Sequence, residues 1–156
     1  MKVVHGKNIG LKGPLEVHVD GSCLYNNVQD QSMRRMSVGI YDVNADYFQH
    51  NLGLKKGGSN NVSEILACFE GLKYASEQGV NKVIIKTDSS VAFSWIKKGK
   101  VKNKKINNPE LVNDILGRIT EIINWFDKVE IELIPREKNM AGIKLEEFLK
   151  KHKITI

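Results

Sequence analysis

Three carboxylates stand where chemistry is possible. Asp20 closes an alternating segment within Leu15–Cys23 (LEVHVDGSC), Asp88 follows the short apolar segment Lys82–Thr87 (KVIIKT), and Glu64 falls in the first turn of a helical segment starting at Asn60 or Asn61. In open α/β sheets, sites form at the carboxyl ends of strands, so Asp20 and Asp88 would emerge side by side if their strands are neighbours. Taken singly, each acid has a plain explanation: an Asp at a strand end suits a turn, and a Glu early in a helix suits the helix dipole. Brought together in a partly buried place, the three repel one another and stay ionised only if a cation neutralises them. Oxygen-only ligands favour a hard cation, Mg²⁺ with Mn²⁺ as a substitute. Two such ions about 4 Å apart can activate a water and stabilise the leaving oxygen of a phosphodiester.

The flanking pattern says which elements must carry these acids. Leu15, Val17 and Val19 face one way and Glu16, His18 and Asp20 the other, the period of a strand, here read as ending in a Gly21-Ser22 turn. Arg35–Val43 and Tyr47–Leu54 are two further strands, joined by a turn at Asn44-Ala45-Asp46. After Gly57-Gly58-Ser59 a helix runs to about Gln78 and stops at Gly79. Ala67, Cys68, Gly71 and Ala75 make one of its stripes small, which lets it lie close to a sheet. Gly71 inside a helix costs roughly 1 kcal/mol against Ala and points to a close approach. Lys82–Thr87 reads as a buried parallel strand and Ser89–Lys98 as a helix. Asn108 and Pro109 open another helix, running to about Phe126. Val129–Ile134 is a fifth strand, and a last helix spans from near Asn139 to near Lys151.

Ile115, Ile119, Ile122 and Ile123, and then Leu145, Phe148 and Leu149, recur at helical spacing as buried stripes. Met33 and Met36 are expected in sheet packing, and Trp125 and Phe126 in the core. The element order predicts an α/β fold, a five-stranded mixed sheet with helices packed on it.

The 156 residues suit a single domain, with residues 1–13 expected to form a loosely ordered extension. The formal charge of +6 is compatible with a polyanionic partner or with a solvated surface. The charge is clustered: Lys97–Lys105 reads KKGKVKNKK, six lysines in nine positions between two candidate helices. The two cysteines, Cys23 and Cys68, form no C-x-x-C pair; they read as buried free thiols rather than zinc ligands. No stretch approaches the roughly 20 apolar residues of a membrane span, and the polar N-terminus lacks a secretory core. A cytoplasmic monomer without a small-molecule cofactor is expected.

At the acidic residues the chain resembles the ribonuclease H family, type I. VHVDGSC is similar to that family's opening strand, SNNVSEILACFEGL to its Asn-Asn-x-x-Glu helix start, IIKTDSSVAFSWI to its strand-Thr-Asp-Ser segment, and LIPREKN to the run into its last helix. The resemblance implies a ribonuclease H-like fold and hydrolysis of the RNA strand of RNA/DNA hybrids, leaving 3′-hydroxyl and 5′-phosphate ends. It implies that Asp20 bridges two metals, with Glu64 and Asp88 on the leaving-group side. Asn60 and Asn61 would face the RNA, the amides around Gly21, Ser22 and Cys23 would follow sugar and phosphate, and Ser89 would line the groove. Trp95 with Lys97, Lys98, Lys100, Lys102, Lys104 and Lys105 would form a basic protrusion gripping the DNA strand.

One departure bears on activity. The family carries a fourth Asp in the last helix, which here reads NMAGIKLEEFL, with Gly142 or Ile143 at that place according to the alignment. The nearest acids are Glu146 and Glu147. The absent ligand belongs to the metal that activates water. The loop before this helix also lacks the His that many members have. Three readings follow. The first is a metal-dependent endonuclease. The second is a weakened or inactive module binding hybrid or double-stranded RNA. The third, a transposase or junction-resolving core, is disfavoured by the type-I details.

Overall fold

Strand β1 (Leu15–Leu24) is the spine of the chain. The computed structural model describes residues 14–24, 34–56, 58–102, 106 and 108–152. On one side β1 pairs antiparallel with β2 (Arg35–Asp42), which pairs in turn with β3 (Tyr47–Lys56); on the other it pairs parallel with β4 (Lys82–Thr87), and β4 with β5 (Lys128–Leu133). The described residues thus form one five-stranded mixed sheet in the order β3-β2-β1-β4-β5. Helices α1 (Asn60–Glu77), α2 (Ser90–Lys98), α3 (Pro109–Ile123) and α4 (Met140–Lys151) pack on it, as the alternation of sequence patterns predicts.

Alternation along β1 assigns the two faces. Val17 and Val19 point to α1 and join the main core with Ile65, Leu72 and Ile85. Asp20 and Leu24 point to α4, where Leu24, Leu145 and Leu149 form a second, smaller core. Two glycines make the close approaches possible. A Cβ on Gly71 would sit 2.6 Å from Val19 Cγ1, and one on Gly39 would sit 3.2 Å from Leu145 Cβ. Asp20 and Gly39 are register partners, so the second approach brings α4 over Asp20 itself.

Three elements depart from expectation. Gly21-Ser22 is not a turn, since β1 continues paired to β2 as far as Leu24. Helix α1 is capped by Ser59, whose hydroxyl accepts from the Val62 amide at 3.3 Å, so Glu64 lies beyond its first turn. Helix α3 ends at Ile123; the turn that follows buries Phe126 but leaves Trp125 63% exposed, outside the core. Of the two methionines expected in sheet packing, Met36 is fully buried and Met33 lies outside the described residues. Cys23 and Cys68 are buried and free, as the spacing indicates.

Helix propensity alone favours Gly71→Ala by roughly 1 kcal/mol. The 2.6 Å approach to Val19 reverses the sign. The variant is expected to lose about 1–3 kcal/mol, as overpacked cores do. Urea unfolding checks this, and an unchanged or raised midpoint would refute the packing account.

Candidate metal centre

The site forms where two neighbouring strands stop at different heights. The parallel ladder between β1 and β4 ends at His18↔Lys86, while β1 runs on to Leu24. Amides past that point need other acceptors, since a buried unpaired N–H is costly. The N-terminal end of α1 supplies them. Glu64 Oε1 accepts from the Gly21 amide, and Asn60 Oδ1 accepts from the Cys23 amide at 3.0 Å. This docking requires glycine at position 21: a Cβ there would lie 2.1 Å from the Ser63 carbonyl oxygen, a backbone atom that cannot swing aside.

Asp88, immediately after β4, completes the cluster. One ligand atom from each of Asp20, Glu64 and Asp88 lies within 4.8 Å of the others, the only such group found among the described residues. Burial, with the Asp88 charge next in size, pushes the Asp20 carboxyl up to about 7, while Arg136 acts in the opposite direction. Burial and then the Asp20 charge push Glu64 up to about 9. Without a cation, therefore, the cluster keeps protons through neutral pH. Three half-buried carboxylates with no other donor type suit a hard divalent ion, whose charge removes the repulsion that raises these values.

Helix α4 closes the centre from the other side, held by Asn139. This fully buried residue caps α4, its Oδ1 accepting from the Ala141 and Gly142 amides at 3.1 and 3.2 Å. Its Nδ2 donates to the Val19 carbonyl at 2.9 Å and to Asp88 Oδ2 at 3.3 Å. His18, on the same strand face, accepts from the Met140 amide through Nδ1 at 3.1 Å, and its Nε2 lies 3.3 Å from Glu16. His18 thus serves to dock the helix. The helix rotation also decides which of Gly142 and Ile143 faces Asp20. A Cβ on Gly142 would lie 3.4–3.7 Å from the Asp20 carboxylate atoms, so Gly142 is aimed at Asp20.

A cleft of about 340 Å³ runs over the centre. Of the residues singled out in the sequence, Asp20, Gly21, Ser22, Asn60, Asn61, Glu64, Asp88 and Glu146 line it. Glu147 does not. Ser89 caps α2, its hydroxyl accepting from the Ala92 amide at 3.0 Å. The Cys23 amide is taken by Asn60, and the Gly21 amide by Glu64, so neither is free to follow a backbone phosphate in this arrangement. Trp95 packs partly buried against the main core. Lys97, Lys98, Lys100 and Lys102 are exposed, and Lys104 and Lys105 lie outside the described residues. Lys97 and Lys98 end α2, whose nine residues extend about 13 Å from the Asp88 end.

Two lining residues had no site role in the sequence reading. Arg136, in a short 3-10 turn before α4, reaches the cleft rim, as does Lys150, which pairs with Glu146 at 3.0 Å. Arg136 had a signal, a lone cation next to the Pro that precedes the last helix. Lys150 had none beyond its i,i+4 spacing from Glu146.

The comparisons with known proteins give a family and a fold. The reverse transcriptase-like family profile matches residues 19–145, from just before Asp20 to α4. The chain belongs to this family, and its fold is that of solved ribonuclease H1 structures. Its fold is similar to ribonuclease H1 of the halophilic archaeon Halobacterium salinarum, with a TM-score of 0.66 at 17% identity over 89% of this chain and 99% of that one. It is also similar to the N-terminal ribonuclease H domain of a Mycobacterium tuberculosis protein, solved as a fusion with maltose-binding protein (TM-score 0.62, 16% identity, 85% and 95% covered). A third likeness is to LC11 ribonuclease H1, solved with an RNA/DNA hybrid (TM-score 0.61, 19% identity, 89% and 99% covered). No curated protein matches the chain. No helix among the described residues is long and apolar enough to cross a membrane.

The raised carboxyls make stability depend on pH. In the unfolded chain Asp20 and Glu64 ionise near their ordinary values of 3.8 and 4.5; in the folded, metal-free protein they hold protons to about 7 and about 9. Between these limits the folded state binds more protons, so its stability falls as pH rises. Each proton of difference is worth about 1.4 kcal/mol per pH unit, roughly 3–5 °C in Tm for a domain of this size. Melts in chelator from pH 4.5 to 9 are expected to show this decline, and Mg²⁺ or Mn²⁺ to reverse it at the alkaline end. The double variant Asp20→Asn, Glu64→Gln should lose most of the slope; an equal slope in both proteins would assign the effect to other groups.

Proposed function

We propose that the protein is a metal-dependent endonuclease that hydrolyses the RNA strand of RNA/DNA hybrids. The observation that carries this reading is the convergence of Asp20, Glu64 and Asp88 at the floor of a cleft whose wall carries the exposed Asn61. Asp20, Glu64 and Asp88 would hold the ion, Mg²⁺ with Mn²⁺ as a substitute. When bound, such an ion polarises a phosphoryl oxygen and lowers the pKa of a bound water. The chain's own contribution is positioning. The Gly21 amide orients Glu64, Asn139 orients Asp88, and α4 shields Asp20 from solvent.

Substrate choice rests on different residues. Asn60 and Asn61 face the cleft and are placed to meet a sugar-phosphate strand, where 2′-hydroxyls distinguish RNA from DNA. The exposed lysines from Lys97 to Lys102 supply the sequence-independent part of affinity. The relative solved with an RNA/DNA hybrid supports the same substrate for this chain. A second reading has one specific observation behind it. Gly142 faces Asp20 and offers it no side-chain ligand, and a chain lacking that ligand could bind hybrid or double-stranded RNA without cutting it.

A cleavage assay on end-labelled hybrid with Mg²⁺ and with Mn²⁺ separates the two. The parent is expected to cut only the RNA strand, and Asp20→Asn to abolish turnover while still folding. Tight hybrid binding with no cleavage in either metal would favour the binding module. Turnover unchanged in Asp20→Asn would remove this centre from the mechanism altogether.

Replacing Lys97, Lys98, Lys100 and Lys102 with Ala is expected to weaken hybrid binding. The slope of log affinity against log salt should drop by about 0.7–0.9 for each phosphate that the variant no longer neutralises. Binding measured between 50 and 200 mM salt, roughly the range over which such charges tell, checks this. An identical slope would make the lysines solvated surface only.

A further inference from the structure

We propose that the free protein takes up a single divalent ion, because α4 presents glycine where a second ion would need a carboxylate. This rests on the reading of Asp20, Glu64 and Asp88 as a metal centre and concerns its capacity.

The three acids form one ligand set, with their ligand atoms within 4.8 Å of one another. A second ion beside Asp20 would need oxygens from the α4 side. There, Gly142 is the residue aimed at the Asp20 carboxylate, at 3.4–3.7 Å from a notional Cβ, and it offers no donor. The next acid along that face, Glu146, is exposed and paired with Lys150 at 3.0 Å. Glu147 lies off the cleft. A second ion would therefore hold one protein oxygen and otherwise water, a poor site for a cation that must be partly dehydrated to bind.

Charge balance agrees. Ionised, the three acids carry three negative charges. One divalent ion together with the Arg136 guanidinium on the cleft rim matches them. A second ion would leave the half-buried centre with two surplus positive charges, and the nearest further carboxylate, Glu146, is already paired with Lys150; a low-dielectric site does not tolerate such an excess cheaply.

The test is a count. The full chain, free of nucleic acid, is titrated with Mn²⁺ by calorimetry, and bound Mn²⁺ is counted by electron paramagnetic resonance. The parent is expected to bind one ion per chain. Gly142→Asp, which has ordinary van der Waals room for its Cβ, is expected to bind two and to show the spectral broadening of neighbouring Mn²⁺ ions. Circular dichroism establishes that the variant is folded, and if it is not, the parent count decides alone. Two ions in the parent, or one in folded Gly142→Asp, would overturn the inference. No ion in the parent would overturn it as well. Cleavage of hybrid by the parent tests the nuclease reading separately, so a failed count and a failed function are told apart.

Discussion

The structure depends on two parallel neighbours of unequal length. Because β4 ends at Thr87 while β1 continues to Leu24, the sheet has a notch beside Asp20, and amides in the notch must find acceptors off the sheet. The two acceptors are side chains of one helix, Asn60 and Glu64. One requirement, satisfying a buried backbone, therefore places α1, fixes its height along β1 and brings the second acid to the first. The third acid needs no further device, since β4 ends at that notch and Asp88 is the next residue. The centre is thus a consequence of how the sheet ends.

Asn139 ties the remaining wall to the same notch. A side-chain amide has donors on one atom and an acceptor on the other, and Asn139 uses both, the oxygen on the α4 amides and the nitrogen on Val19 and Asp88. It is fully buried, so each bond replaces water that cannot reach it. An Asp here would cap the helix equally well but would bring another negative charge against Asp88. A fixed α4 in turn decides which of its residues faces Asp20.

The acids and their elements were legible because each rests on local pattern. Period-two alternation gave the face of Asp20, the apolar run before Asp88 gave a buried strand, and the small residues around Gly71 announced a helix lying close to the sheet. The contact with Val19 bears this out. What stayed illegible depends on contacts between distant residues. Nothing near Asn139 reveals a partner 120 positions earlier in the chain. The choice between Gly142 and Ile143 is a matter of helix rotation, set by Asn139 and by the packing of Leu145 on Gly39. Trp125 was read as core by its type, but one turn after α3 carries it to solvent. Gly21 looked like a turn residue, the usual reason for a Gly-Ser pair. Its actual reason, the Ser63 carbonyl standing where a Cβ would be, exists only once α1 is docked.

The glycine at position 142 can be understood from the same electrostatics. Every carboxylate added to a buried acidic cluster raises the cost of the ion-free state, and Asp20 and Glu64 already carry that cost as strongly raised carboxyls. A chain without the fourth acid has less repulsion to overcome on folding and needs less cation to relieve it. Arg136 moves the balance further the same way, drawing Asp20 back toward ionisation without an ion. Glycine here favours stability and would weaken a hold on metal at the α4 side. It leaves intact the three acids that the notch assembles, because their positions follow from the backbone rather than from the ion they would bind.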